Sequence, residues 1–98
     1  MSVYMILDVV EVIDKEAYAQ YREKVPPIVE KFGGRYLVRG GEIKAVIGDW
    51  KPGRIIVLEF PSHEHIQKWF NSPEYAPLAA IREKATKARG IIVEGSVD

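Results

Sequence analysis

The strand-like segments of this chain are apolar on both faces, whereas its helical segments are apolar on only one. The first segment contains two alternating sets of residues: Val3, Met5, Leu7 and Val9 on one face, and Tyr4, Ile6, Asp8 and Val10 on the other. About four strands and two helices provide enough helix to cover one face of a sheet. We therefore expect the second apolar face to pack against another copy of the chain, giving a homodimer through the sheet face.

The periodicity becomes helical near Asp14, a predicted N-cap. Apolar residues then recur at spacings of three and four: Ala17, Tyr18, Tyr21, Val25, Ile28, Val29 and Phe32. Because prolines lack an amide donor and restrict the preceding residue, Pro26 and Pro27 predict a break after Lys24 or Val25. Gly33 and Gly34 predict the turn into the next strand.

Three segments follow this turn. Residues 35–39 alternate as a short strand, with Tyr36 and Val38 facing away from Arg35, Leu37 and Arg39. The apolar stretch 43–47 and the turn-rich stretch 48–53 predict a long hairpin arm. Residues 54–60 form the strongest strand pattern in the chain.

The last third of the chain predicts two helical pieces and a short strand. Ser62 is the expected cap of a helix with the apolar stripe Ile66, Trp69 and Phe70, and Ser72 with Pro73 can begin a further turn. Gly90 is the expected helix stop, and residues 91–94 the final strand. The resulting order, β-α-β-β-α-β, predicts an α+β fold with a ferredoxin-like, antiparallel four-stranded sheet.

Several stretches also resemble a known family. They are Gly33-Gly34-Arg35-Tyr36-Leu37-Val38-Arg39-Gly40-Gly41, Gly48-Asp49-Trp50 with Arg54, Glu59-Phe60-Pro61-Ser62, and Trp69-Phe70-Asn71-Ser72-Pro73-Glu74-Tyr75 with Arg82. Together they resemble the bacterial domain-of-unknown-function family 1330, within the dimeric α+β barrel superfamily. The resemblance implies a homodimer with two facing sheets. That superfamily includes monooxygenases, isomerases and haem enzymes, so the fold does not select a reaction.

Composition narrows the classes of function. The chain has 98 residues, which predicts one domain spanning 1–98, and its 14 basic and 14 acidic residues cancel. Without a basic block, we expect no nucleic-acid or membrane partner. The absence of cysteine excludes disulfides and thiolate chemistry. No apolar run is long enough to cross a bilayer and no leader pattern begins the chain, so a cytoplasmic location is expected.

The charges that punctuate the strands suggest a site. Asp8 and Arg39 are predicted on the second face of the sheet, with Arg54 at the same end and with Asp49 and Trp50 above them on the hairpin arm. In a functional interpretation, Arg39 binds a carboxylate or enolate, Asp8 orients it or moves a proton, and Arg54, Trp50 and Asp49 contact the ligand. In a structural interpretation, Asp8 and Arg39 form an ion pair that fixes the register.

The two histidines do not suggest a metal site. His63 and His65 are two positions apart at a helix start and point to different sides, so no metal or other cofactor is expected. Two functions stay open. One is a cofactor-independent enzyme acting on a small anionic or carbonyl-bearing metabolite near Arg39, and the other is a noncatalytic small-molecule-binding or accessory dimer.

Overall fold

The computed structural model describes residues 1–96. Four strands and three helices follow one another as β1 (Val3–Val12), α1 (Lys15–Lys31), β2 (Arg35–Arg39), β3 (Arg54–Phe60), α2 (His63–Phe70), α3 (Ala76–Ala85) and β4 (Thr86–Glu94). The strands form one sheet in the order β2-β3-β1-β4, and all neighbours are antiparallel. The predicted α+β fold is confirmed, with the second crossover divided into two helices.

The helices cover the face of the sheet that carries Val3, Met5 and Val9. These side chains pack with those from β3 and the helices into a single core, whose largest fully buried members are Trp69, Tyr75, Phe60, Leu58, Ile66, Val25 and Val29. The Phe60 and Trp69 rings lie 5.5 Å apart at its centre. Burial of these large apolar groups is the main stabilising term for the fold.

Two of the predicted helix starts are confirmed by their caps. The Asp14 carboxylate accepts a hydrogen bond from the amide of Ala17, and the Ser62 hydroxyl accepts one from the amide of His65. Ser72 accepts from the amide of Tyr75 and so closes the turn that leads into α3. Each side chain satisfies an amide that has no partner in the first helical turn.

The predicted break at Pro26 and Pro27 is wrong, because α1 continues through both prolines to Lys31. Pro26 has no amide hydrogen to donate to the carbonyl of Arg22, four residues earlier. The guanidinium of Arg39 donates to that carbonyl instead. Burial of the next apolar residues along the helix then holds the second half of α1 against the sheet.

Two further predictions need correction. Residues 40–53 connect β2 to β3 as a loop without a strand, so the hairpin arm has no ladder of its own. Gly90 does not stop a helix; it lies within β4, opposite Leu7, and β4 begins at Thr86 directly after α3. The missing side chain at Gly90 makes room for Leu7, since a Cβ there would lie 2.7 Å from the Leu7 Cδ2.

The other face of the sheet, called here the open face, carries no helix. The strand register places Ile6 opposite Val57 and Ile91, and Tyr4 opposite Glu59 and Val93. Ile91 is 61% exposed and Val93 43% exposed. The open face is therefore an apolar surface in the single chain, as the two-faced strand pattern predicts. No helix among the described residues is both long enough and apolar enough to cross a membrane.

Candidate functional site

Asp8 lies on the open face and is almost completely buried. Its carboxylate accepts hydrogen bonds from the amide of Gly53 at 2.9 Å and from the Trp50 indole at 3.3 Å. The Arg89 guanidinium lies 3.5 Å from the same carboxylate. The predicted position of Trp50 above Asp8 is therefore confirmed, and Asp8 fastens the end of the β2–β3 loop to the sheet.

The predicted pairing of Asp8 with Arg39 is wrong. A register shift between Tyr36 and Val38 marks a bulge at Leu37, after which Arg39 lies opposite Ile56. Arg39 is thus on the helix-covered side of the edge strand, where it stacks on the Tyr36 ring and donates to the carbonyl of Arg22. An extra residue in a strand reverses the face of every residue after it.

Arg54 follows Arg39 to the helix-covered side. Its register partner is Val9, and its guanidinium donates to the carbonyl of Arg39 at 3.2 Å. Asp49 lies in the exposed part of the loop. The structure therefore gathers Asp8 with Trp50 and separates both from Arg39 and Arg54. The catalytic and ligand-binding roles assigned to these residues stay predictions.

The opposite end of the open face carries Tyr4, Arg35 and Glu59. The Glu59 carboxylate accepts from the Arg35 guanidinium at 2.6 Å and from the Tyr4 hydroxyl at 3.3 Å. Hydrogen bonds from Ser2 and then from Arg35 lower the pKa of Glu59. These charges are paired with one another, which is typical of a structural surface pair.

A cavity of about 470 Å³ lies on the helix-covered side of the sheet, between β1 and β4 below and α2 and α3 above. Its residues are mostly apolar: Met5, Leu7, Ile66, Gln67, Phe70, Asn71, Tyr75, Arg82, Ala88, Arg89, Gly90, Ile91 and Ile92. The volume and the apolar walls with a few polar groups are typical of small-molecule sites. The cavity exists because α1 to α3 cover β4 incompletely, which leaves Ile92 42% exposed.

The polar end of the cavity is formed by Arg82 and Tyr75. The Tyr75 hydroxyl hydrogen-bonds the Tyr21 hydroxyl at 2.8 Å in the core. Burial raises the pKa of Tyr21, so this phenol is neutral at physiological pH. Burial alone would lower the pKa of Arg82, but the hydrogen bond with Tyr75 and the charge interactions with its surroundings, Glu83 included, together outweigh burial, and the pKa is raised. Arg82 is therefore a positive charge held beside the buried Tyr75 hydroxyl.

The sequence pattern around Arg82 indicates that this residue lies on a buried helix face, although the predicted site took its arginines only from the strands. Arg82 is four residues after Leu78 and three before Ala85, so it shares the buried face of α3 with both. A cation on the buried face of a helix departs from the usual pattern of exposed arginines. Arg39 and Arg54 were selected from the sequence because they are charges within predicted strands. Arg82 instead interrupts the apolar face of a helix.

The histidines have other partners. His65 Nδ1 lies 2.7 Å from the Ser62 hydroxyl at the start of α2. Within residues 1–96, no group of three or more histidine, cysteine, aspartate or glutamate side chains is arranged to hold a metal ion.

Comparison with protein families gives one match that covers nearly the whole chain. The model described as "Domain of unknown function (DUF1330)" matches residues 2–96. A comparison with curated proteins gives no match.

Three solved structures resemble this fold. A protein of unknown function from Rhodopseudomonas palustris, RPA0582, has a TM-score of 0.81 at 22% identity, covering 99% of this chain and 84% of the other. An ethyl tert-butyl ether degradation (EthD) family protein from Bacillus halodurans has a TM-score of 0.64 at 17% identity, covering 98% and 100%. A candidate antibiotic biosynthesis monooxygenase from Nitrosomonas europaea has a TM-score of 0.63 at 14% identity, covering 97% and 98%. At these identities, the likenesses show the fold alone.

Proposed function

The chain belongs to the DUF1330 family, and from its structure we propose that it is a homodimeric protein that binds a small molecule in the cavity between β1, β4, α2 and α3. The observation that carries the proposal is the cavity itself, which combines apolar walls with one polar end. The cavity is open to solvent on one side, with Phe70 and Ile92 of its walls 45% and 42% exposed, so a small molecule could enter it from solution.

The composition of the walls supports a ligand that is apolar over most of its surface. Met5, Leu7, Ile66 and Phe70 contribute carbon surfaces, whereas the amides of Gln67 and Asn71 lie on the α2 side. A few well-placed polar groups in an otherwise apolar cavity orient a ligand and select it.

The homodimer in this proposal forms through the open face. Apolar side chains from three strands are exposed there, and the β2–β3 loop, which Asp8 fastens to the sheet, exposes Val46 at 86% and Ile47 at 88%. Exposed apolar surface of this extent is typical of interfaces. A face-to-face pairing of two sheets would bury it at about 25 cal/mol for each Å².

The cavity proposal can be tested with a blocking variant and a matched control. Ala88 lines the cavity, whereas Ala80 is exposed on α3. We expect 2-naphthoate, 2-naphthamide or hexanoate to raise the melting temperature of the wild type and of Ala80→Trp, but not of Ala88→Trp. Equal responses from the two variants, or no response of the wild type to any of the three compounds, would overturn the proposal.

The dimer is tested independently by light scattering. We expect twice the chain mass at micromolar concentration, with no folded monomer released on dilution. A folded monomer that persists at high concentration would contradict the dimer while leaving the cavity proposal intact.

A second candidate is a cofactor-independent enzyme acting on a small carbonyl-bearing or anionic metabolite. The observation that favours it is the Arg82 guanidinium in the cavity wall beside the buried Tyr75 phenol, because a fixed guanidinium can stabilise an enolate oxygen. This assigns to Arg82 the oxygen-binding role that the sequence suggested for Arg39. Deuterium exchange at the C3 methylene of phenylpyruvate, the carbon next to the ketone, is followed by NMR with and without protein. No acceleration above buffer would exclude this reaction.

A further inference from the structure

Arg82 brings into the cavity a positive charge that forms no ion pair within residues 1–96, although the exposed Glu83 carboxylate lies near enough to raise its pKa. Its helical neighbours Leu78 and Ala85 are buried, so the side chain lies on the inner face of α3. The ion pairs within residues 1–96 join Lys31 to Glu74, Arg35 to Glu59, Lys87 to Glu11 and Arg89 to Asp8, and none includes Arg82. A half-buried charge without an ion-pair partner in direct contact is costly, which makes the cavity favourable for an anion.

The contacts of Arg82 explain how the charge is kept in place. Tyr75 is 1% exposed, and its hydroxyl is held by Tyr21 on one side. The Arg82 carbonyl accepts a hydrogen bond from the Thr86 hydroxyl at 2.7 Å. The phenol beside the guanidinium and the anchored backbone limit the positions that the side chain can adopt. A positioned guanidinium has a planar set of donors that matches a carboxylate.

The rest of the cavity determines what kind of anion fits. Beyond Arg82, the walls are formed by the thioether of Met5, the branched chains of Leu7 and Ile66, and the ring of Phe70. Such walls favour an apolar body over a sugar or a polyphosphate, each of which needs many polar partners. The other arginine that lines the cavity, Arg89, is paired with Asp8, so one unpaired cation remains, and it matches one negative charge.

We propose that the ligand is a small monocarboxylate with an apolar or aromatic body, whose carboxylate pairs with Arg82 while the body lies against Met5, Leu7, Ile66 and Phe70. This inference rests on the proposed small-molecule function and adds the chemical class of the ligand. It also assigns the anion-binding role to Arg82 in place of Arg39, the strand residue that the sequence suggested.

The test compares two probes of nearly equal shape that differ in charge. By calorimetry at neutral pH, we expect 2-naphthoate to bind the wild type about tenfold or more tightly than 2-naphthamide, as a charge-assisted hydrogen bond predicts. Arg82→Met should remove this preference, and Arg82→Lys should retain part of it because the charge stays while the planar donor set is lost. Arg35→Met, which removes an exposed arginine paired with Glu59, is the control and should bind as the wild type.

The outcomes separate this inference from the proposal on which it rests. If the wild type binds both probes equally, or if Arg82→Met keeps the preference for 2-naphthoate, the assignment of a monocarboxylate to Arg82 is overturned although the cavity still binds. If neither probe binds the wild type, the small-molecule function fails and the inference fails with it. The comparison of the two probes on the wild type holds even if Arg82→Met does not fold.

Discussion

The two faces of the sheet have similar apolar content but different surroundings. On the helix-covered face, Phe60 and Leu58 are at most 1% exposed, whereas on the open face Ile91 and Val93 are 61% and 43% exposed. The covered face holds the core and the cavity, and the open face holds Asp8 and its loop contacts. Alternation in a strand thus identifies two apolar surfaces. The number of helices shows that the chain itself can bury only one of them.

The largest expected effect is on the covered face. Phe60→Ala should lower the free energy of unfolding by about 3–5 kcal/mol, because it removes a ring that packs against Trp69 and leaves a cavity. Val93→Ala on the open face, measured in the Ile6→Lys background that keeps the chain monomeric, should cost about 1 kcal/mol or less. Urea denaturation of both variants measures the difference, and similar losses would contradict the assignment of the two faces.

The next effect concerns association. Ile6→Lys puts a charge at the centre of the open face, between Val57 and Ile91. We expect the variant to sediment as a monomer with an unchanged far-ultraviolet circular dichroism spectrum. Ile13→Lys is the matched control, because Ile13 is exposed outside the sheet, and it should remain a dimer. A dimeric Ile6→Lys protein would show that association uses another surface.

The pH dependence of the free energy of unfolding reports on the buried tyrosines of the covered side. Burial raises the pKa of Tyr36 to about 12 and also raises that of Tyr21, both on the covered side. Because the unfolded value is about 10, the contribution of these phenols is fully present below pH ~10. Above it the unfolded state loses protons first, so stability falls as the pH rises toward the folded values. Urea midpoints should decrease between pH 9 and 11, less steeply in Tyr36→Phe; parallel slopes would contradict the assignment.

The smallest expected effect tests the arginine that the sequence favoured. Arg39→Met removes the donor to the Arg22 carbonyl, an exposed hydrogen bond that contributes about 0.5–1.5 kcal/mol to the free energy of unfolding. Binding of 2-naphthoate should not change. Loss of binding with intact stability would restore the ligand role that the sequence assigned to Arg39.

The sequence predicted the architecture well because the relevant signals are local. Alternation located the strands, and Asp14 and Ser62 located helix starts through caps that involve residues only three positions away. The predicted helix break at the prolines was wrong because Arg39, from a different element, supplies the donor that Pro26 lacks. No local pattern contains that contact.

The site was less predictable because it depends on register. Simple alternation placed Arg39 on the wrong face because it does not reveal the bulge at Leu37. Leu37 is apolar like its neighbours, so the sequence pattern of the segment looks regular. The cavity depends on how far α2 and α3 extend over β4, which is a matter of packing. The position of Trp50 above Asp8 was predictable because both follow from the topology of the sheet.

The direct passage from α3 into β4 connects the two faces mechanically. Helix α3 ends at Ala85 and the strand begins at Thr86, whose amide and hydroxyl both bond to the carbonyl of Arg82. The backbone of the cavity arginine is therefore joined directly to the strand that carries Ile91 and Val93, so a displacement of one is transmitted to the other. If ligand affinity differs between the single chain and the dimer, thermodynamic reciprocity requires the ligand to change the strength of association by the same factor.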